Sequence, residues 1–446
     1  MIKNVLIMRT AILILLLITS KPLWSQTKIT TYYADDPSRI MEVYYILDND
    51  SSRIDGKYSK YSPEGAVIVT GNFMEGKKEG KFLNFYEDGT IQRETIYANN
   101  LKQGITRVYA PSGQLVQEAI FLNDTLTGDL KLFDEAGALK GISSFKEGKP
   151  DGQVLEYYPN GKVKEEIHYL NGKPNGVTRH YYENGNMQLE AEYVGGLLDG
   201  FYKTYYPSGA LEMEVLNERG NRAGYVSHFY ETGQLKAKGF YENGGLEGEF
   251  KSYFEDGAPE KSYQYENGYR VGENYDYYPD GAVKVKGTYS NKGMDAIITE
   301  YSEKGRIAAQ KRMLNELPHG VWTFNDEKGK PLTVETWQNG KLHGIKSSYE
   351  DGKLVSEEYY AFGNKQGETK TYYPNGAIRT IENWKIGRLQ GPFVRYYKSG
   401  EKEYEGSYVR NKRNGLWIYY DKKGNAEKKV TYSFGEITSE EVLTTQ

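Results

Sequence analysis

The chain contains no cysteine and only 5 histidines and 14 prolines among 446 residues, and its aliphatic content is low for that length. Without cysteine there can be no disulfide, thiolate zinc site, iron–sulfur cluster or cysteine nucleophile. Long apolar runs are missing too. The stretch Ala11 to Ile18 is uninterrupted but short, where a membrane-spanning helix needs about 20 apolar residues. Nor is there an excess of positive charge: the formal net charge is −4, and a net-acidic chain with interspersed signs lacks the basic stripe through which proteins release counterions from nucleic acid.

The N-terminus carries Lys3 and Arg9 ahead of that apolar stretch, followed by Thr19, Ser20, Lys21, Pro22, Leu23, Trp24, Ser25 and Gln26. A basic start, a short apolar middle and a polar end fit a cleaved export signal, with the cut expected after Ser25. Residues 1–25 are therefore expected to be a signal peptide and the product to be exported: periplasmic, on the outer envelope, or secreted. No transmembrane span would remain after cleavage, and the absence of cysteine removes the usual site of a bacterial lipid anchor.

What the chain has in abundance is glycine and tyrosine, 50 and 42 residues, and the glycines keep time. Gly recurs every 24 residues at 56, 80, 104, 128, 152, 176, 200, 224, 248 and 272, with Ala296 in the next slot and then Gly320 and Gly344. After one step of 23 the series resumes at Gly367, Gly391 and Gly415. Counting each of these residues as position 0, a second glycine stands at position 9 in each repeat: Gly65, Gly89, Gly113, Gly137, Gly161, Gly185, Gly209, Gly233, Gly257, Gly281, Gly305, Gly329, Gly376, Gly400 and Gly424, with Gly352 one place early. Position 5 is aromatic in every repeat except at Asn325, and position 17 is aromatic again in most, as in Phe73, Tyr169, Trp337 and Tyr408.

Each repeat reads as a β-hairpin. In Tyr157-Tyr158-Pro159-Asn160-Gly161-Lys162-Val163, proline presets φ for a type I turn, asparagine suits the next place, and glycine accepts positive φ as a bulge. A three-residue loop of this kind pairs Tyr158 with Lys162 and Tyr157 with Val163, and likewise Tyr205 with Leu211, Tyr277 with Val283 and Tyr372 with Ile378. The short repeat has lost one loop residue, yet a two-residue Asp351-Gly352 turn still sets Tyr349 opposite Leu354. Strand parity puts positions 5, 11, 15 and 17 on one face, expected to be the buried ladder. The apolar residues at position 2 then fall on the opposite face, and either a bulge near the start of the first strand turns them inward or the sheet coils to shelter them.

The whole unit, Gly152 to Gly176 as GQVLEYYPNGKVKEEIHYLNGKPNG, resembles the MORN repeat, in the variant form of bacterial YwqK-type antitoxin proteins. The turn glycine Gly161, the paired Tyr157 and Tyr158 and the closing segment Asn171 to Gly176 carry the likeness, which extends over roughly residues 56–435. It implies successive hairpins joined into one elongated antiparallel sheet, about 16 tandem hairpins in an all-β, MORN-like solenoid, used for contacts with proteins or, in some relatives, membranes. The expected layout is a signal peptide at 1–25, a capping segment at 26–55, the hairpin array at 56–435 and a tail at 436–446.

Such an array leaves little room for catalysis. Equivalent residues in neighbouring hairpins lie about 9.6 Å apart, so His180 and His228, two repeats apart, cannot share a metal ion. His319 and His343 sit just before position 0, a place otherwise held by polar turn residues. His168 stands alone. GNFMEGKK from Gly71 to Lys78 lacks the hydroxyl residue and the helix of a phosphate loop. Asp48, Asp50 and Ser52 begin like a calcium loop, but Arg53 occupies its glycine place. Glu165 and Glu166 are adjacent on a strand and point to opposite faces. No catalytic, metal or cofactor site is expected, and the chain is expected not to be an enzyme.

The candidate partner-binding strip is the aromatic column at position 6, unbroken through Tyr158, Tyr182, Tyr206, Tyr230, Phe254 and Tyr278. Tyrosine offers large contact area, few rotatable bonds and a hydroxyl, although such rings also simply cover turns. The function expected is that of an exported scaffold binding a protein partner. The alternative is a cell-envelope protein that binds glycan.

Overall fold

Two tight turns per repeat fold the chain back on itself. At the tip, Gly161 takes φ +80°, Tyr158 N–H donates to Lys162 O at 2.8 Å and Gly161 N–H to Tyr158 O at 2.9 Å. This is the type I turn with a glycine bulge that the Pro-Asn-Gly chemistry dictates. At the other end lies a turn linking one hairpin to the next, in which both central residues are left-handed, Asn171 at φ 52° and Gly172 at φ 81°. Such type I′ turns match the right-handed twist of the strands they join. Phe362 and Ile386 hold the same left-handed place at φ 50°, a conformation that costs a bulky or β-branched residue local strain.

The computed structural model describes residues 26–443. The expected cleavage at Ser25 and the segment before it lie outside them. The described residues form 39 strands and no helix, paired antiparallel with their neighbours along the chain, as Lys149–Tyr157 is with Val163–Leu170. The chain divides into two compact units, one ending at Gly185 and one beginning at Asn186. The first opens with a hairpin outside the 24-residue period, Gln26–Tyr32 paired with Ile40–Leu47, which itself adjoins Gly56–Tyr61. The second closes with the exposed strand Glu436–Val442, paired along Ala426–Ser433.

The hairpin register agrees with the turn argument. Tyr157 faces Val163, Tyr205 faces Leu211, Tyr277 faces Val283 and Tyr372 faces Ile378. In the short repeat Tyr349 faces Leu354. The buried ladder, however, is not the one that simple alternation gives. Glu156 pairs with Glu165 while the next residue, Tyr157, pairs with Val163, so Lys164 at position 12 has no partner and forms a bulge. The same extra residue recurs in other hairpins, for example at Glu212. One additional residue reverses the parity of the returning strand. Positions 5 and 11 therefore share one face while 2, 4, 13, 15 and 17 share the other. The expectation that 5, 11, 15 and 17 lie together is corrected by this bulge, which sits on the returning strand near the tip.

Positions 2 and 15 form the core row. Position 2 faces position 15 of its own hairpin, as Phe82 faces Thr95 and Trp417 faces Val430. It also borders position 15 of the preceding one, as Thr106 borders Thr95 and Tyr202 borders Ala191. The row supplies much of the buried set: Phe82, Thr95, Ala119, Ala191, Val215, Val226, Phe393, Trp417 and Val430. Where an aromatic ring fills position 2, its neighbour shrinks. A Cβ added at Gly71 would overlap the Phe82 ring, and one at Gly406 would overlap Trp417. Both glycines have ordinary backbone angles, so here glycine serves close approach rather than turning.

Rings at position 17 close over this row edge-on, with Phe73 and Tyr97 each 5.3–5.5 Å from Phe82. Cations just after the link turn lie across these rings or those of the core row: Lys78 is 4.9 Å from the Tyr97 ring, Lys365 4.2 Å from Trp384 and Arg413 4.4 Å from the core Trp417. Each edge-to-face pair contributes about 0.5–1.5 kcal/mol beyond area burial, and each cation over a ring about 0.5–2 kcal/mol. The scarcity of aliphatic residues is thereby offset.

Replacing Gly406 with alanine is expected to destabilise the second unit by about 1–3 kcal/mol through overpacking, measured as a lowered denaturant midpoint. Gly406→Ala combined with Trp417→Leu should recover part of that loss relative to Trp417→Leu alone. An unchanged midpoint in the single variant would contradict the packing described.

Candidate functional site

The position 6 tyrosines stand at the hairpin tips, half-buried. Beyond the last paired residues of neighbouring hairpins, positions 13 and 4, the position 5 carbonyl has no strand partner. The phenol of the preceding hairpin supplies one. In the first unit Tyr86 donates to Tyr109 O at 2.9 Å and Tyr158 to Tyr181 O at 2.7 Å. In the second, Tyr206, Tyr230 and Tyr278 donate to Phe229 O, Tyr253 O and Tyr301 O at 2.9–3.0 Å. Tyr373 and Tyr397 do the same at 2.8 and 2.9 Å. Of the other strip members, Tyr182 is also half-buried at its tip in the first unit, and Phe254 holds the corresponding place in the second without a hydroxyl to donate. The bulge residue leans onto this column: Lys236 lies 5.3 Å from the Tyr230 ring and Lys284 5.6 Å from Tyr278.

The link turns are tied by a second device. The residue before position 0 accepts the N–H of the left-handed residue one hairpin on: Asp151 from Asn171, Glu247 from Asn267, Gln366 from Ile386. His343 Nδ1 occupies this role for Phe362 N–H at 3.3 Å. The next turn N–H goes to a backbone carbonyl, as Gly172 N–H to Pro150 O at 2.8 Å.

The remaining sequence-marked residues are engaged locally. His180 pairs with Glu165 at 3.3 Å, and Glu166 faces Arg179 on the other side of the sheet. His168 Nδ1 lies 3.2 Å from Val177 O. Burial, with Arg222 and Lys236 nearby, pushes the His228 pKa below its usual range. Asp50 accepts from the Ser52 N–H and hydroxyl, and Asp48 pairs with Arg53. Among the described residues no group of three or more His, Asp or Glu is placed to hold a metal ion.

The face opposite the core carries charge and, in the second unit, exposed apolar groups. Positions 3 and 14 form a ladder of opposite charge: Arg107 with Glu118 at 2.8 Å, Lys203 with Glu214 at 2.9 Å. Beside it, position 1 is large and apolar in Phe201, Tyr225, Ile297, Val321, Ile345 and Leu416, each 42–58% exposed. Two shallow clefts open on this face at equivalent places. One, about 580 Å³, lies between Tyr225 with Phe240 and the Glu249–Lys251 pair. The other, about 330 Å³, lies between Ile345 with Tyr359 and the Glu368–Lys370 pair. Both run over a leading glycine, Gly248 or Gly367, whose missing side chain leaves the dip. Simple alternation puts position 1 on the same face as position 5, the face expected to be buried, so the sequence does not mark this column as exposed.

Eight repeats match the MORN repeat variant. The matched segments are 78–99, 102–123, 150–171, 174–194, 222–243, 246–267, 270–291 and 365–385. Each matched segment runs from just after one link turn to the next. Comparison with curated proteins found no match. Among solved structures the chain is similar to the crystal structure of TcdB2-TccC3-TEV, at 10% identity and TM-score 0.14, covering 94% of this chain and 27% of that one. It is also similar to the Photorhabdus luminescens Tc holotoxin pore bearing a TccC3 mutation, at 11% identity and TM-score 0.14, covering 92% and 26%. The chain spans about a quarter of the length of those chains.

Removing one staple, by Tyr206→Phe, is expected to cost about 0.5–1.5 kcal/mol, read as faster hydrogen exchange at neighbouring tip amides; exchange identical to wild type would contradict the stapling role. Alkaline titration gives a second check. Burial, and then hydrogen bonds to Glu357 and Glu405, push Tyr372 and Tyr420 from the ordinary value of 10.0 up to about 12. A raised folded-state pKa means that this stabilisation is complete below pH 10 and disappears as pH rises towards about 12. Tyrosinate absorbance should show a late-titrating class that Glu405→Gln diminishes.

Proposed function

We propose that the protein is an exported, non-enzymatic repeat scaffold whose outer sheet face, in the unit beginning at Asn186, binds a protein partner. The observation carrying this reading is the position 1 column: exposed large apolar side chains bordered by alternating lysine and glutamate. Monomeric proteins seldom expose aligned apolar groups without use, and an apolar centre with a charged rim is the anatomy of protein interfaces. The two equivalent clefts give a partner the same features twice. Export rests on the N-terminal composition, and kinship with YwqK-type antitoxins rests on the likeness of the repeat unit. The tip tyrosines enter as a half-buried border; the hydroxyls of Tyr158, Tyr206, Tyr230 and Tyr278 bond internally, so their share in binding would come from ring faces.

The test places a photo-crosslinking residue at Tyr225 and, as a control, at Lys164, in protein recovered from its native fraction. A protein adduct formed only from position 225, and lost with Phe201→Ser plus Ile345→Ser while melting is unchanged, is the expected result. Recovery of glycan without a specific protein would overturn the reading.

A further inference from the structure

The core face of the first unit holds a cavity of about 520 Å³ at its N-terminal end. Its floor is a chain of rings meeting edge to face: Tyr58 with Phe73 at 5.4 Å, Phe73 with Phe82 at 5.5 Å, and Phe82 with Tyr97 at 5.3 Å. Lys60, Lys78, Arg93 and Lys102 line its walls, and Glu42 is the one acid among the lining residues. Glu42 is already engaged, accepting from the Tyr58 hydroxyl at 2.8 Å and lying 3.9 Å from Lys60. Among the described residues, no carboxylate is within ion-pair distance of the Lys78, Arg93 or Lys102 side chains. Asp124, which acts on Tyr97, has its Oδ1 held by the Lys102 backbone N–H at 2.8 Å. In a chain of net negative charge, this is a local concentration of unmatched positive charge over an apolar floor. That combination focuses the field on an anion.

We propose that this cavity binds an acidic peptide segment, rich in glutamate or aspartate, of a protein partner. The proposal rests on the scaffold reading in so far as the ligand is a protein, and it assigns a different surface. Two features decide for a peptide over a sugar acid. Phe82 is 3% exposed, and Lys78 already lies 5.3 and 4.9 Å from the Phe82 and Tyr97 rings. A sugar would need a free ring face to stack on, whereas carboxylates on flexible side chains need only reach the cations from above. The volume accommodates a few residues, and each carboxylate meeting Lys78, Arg93 or Lys102 makes a charge-assisted hydrogen bond.

The test is an anisotropy titration of the full chain with fluorescein-labelled hexaglutamate at low ionic strength, with hexalysine and an oligogalacturonate as comparison ligands. Saturable binding that weakens with salt, falls about tenfold or more in Lys78→Gln plus Lys102→Gln, and is retained in Lys→Arg replacements at both sites is the expected result. Because Lys78 also covers two rings, Arg93→Gln provides a variant that leaves those contacts in place and should weaken binding as well. Unaltered hexaglutamate binding in both variants, or tighter binding of oligogalacturonate, overturns the proposal. A crosslinked partner at Tyr225 with no hexaglutamate binding would overturn this site and leave the scaffold reading standing. Hexaglutamate binding without an adduct at Tyr225 would do the reverse.

Discussion

One unpaired residue in each hairpin settles which side of the sheet is inside. Position 12 bulges out of the returning strand, as Lys164 does between the pairs Glu156–Glu165 and Tyr157–Val163. Strand side chains alternate with a period of two, so a one-residue slip exchanges the faces completely. Because of the bulge, positions 2 and 15 meet across every ladder and become the core, while positions 1, 3 and 14 face outward. Every surface feature described, from the charge ladder to the apolar column, takes its address from that exchange.

The core so formed is thin, a single row flanked by rings and cations, and a repeat array built from it depends on neighbours. Many hairpins are accordingly tied to the next at tip and link by groups the ladder leaves over. At the tips a phenol satisfies an orphan carbonyl; at the links an acid or amide side chain and a backbone carbonyl satisfy two left-handed N–H groups. Buried or half-buried backbone groups without partners would cost about 1–3 kcal/mol each. These ties therefore hold neighbouring hairpins in register at the ends of their strands.

Much of this is legible in the sequence. The 24-residue metre gave the hairpins, the Tyr-Pro-Asn-Gly chemistry gave the tip turn and its register, and the lost residue near Gly352 fell where a shorter turn absorbs it. The buried face was not legible, because the bulge residue has no composition of its own: Lys164, Glu212 and Lys236 are ordinary surface residues, and only pairing distances reveal that they stand alone. The link turn was half-legible. Asn171-Gly172 advertises a type I′ turn, but Phe362 and Ile386 hold the same backbone against their own preference, held there by His343 and Gln366. The tyrosine column was visible as a column, yet the direction of its hydroxyls follows from where the ladder ends, which sequence does not state.

The exchange of faces is tested most directly by cysteine labelling, which the natural absence of cysteine makes clean. Tyr225, at position 1, is 58% exposed and the adjacent Val226, at position 2, only 4%. A thiol placed at residue 225 should react with a water-soluble maleimide at close to the unfolded rate, and a thiol at 226 should be strongly protected until the protein is denatured. Equal reactivity at both places, or protection at 225 with free reaction at 226, would contradict the account.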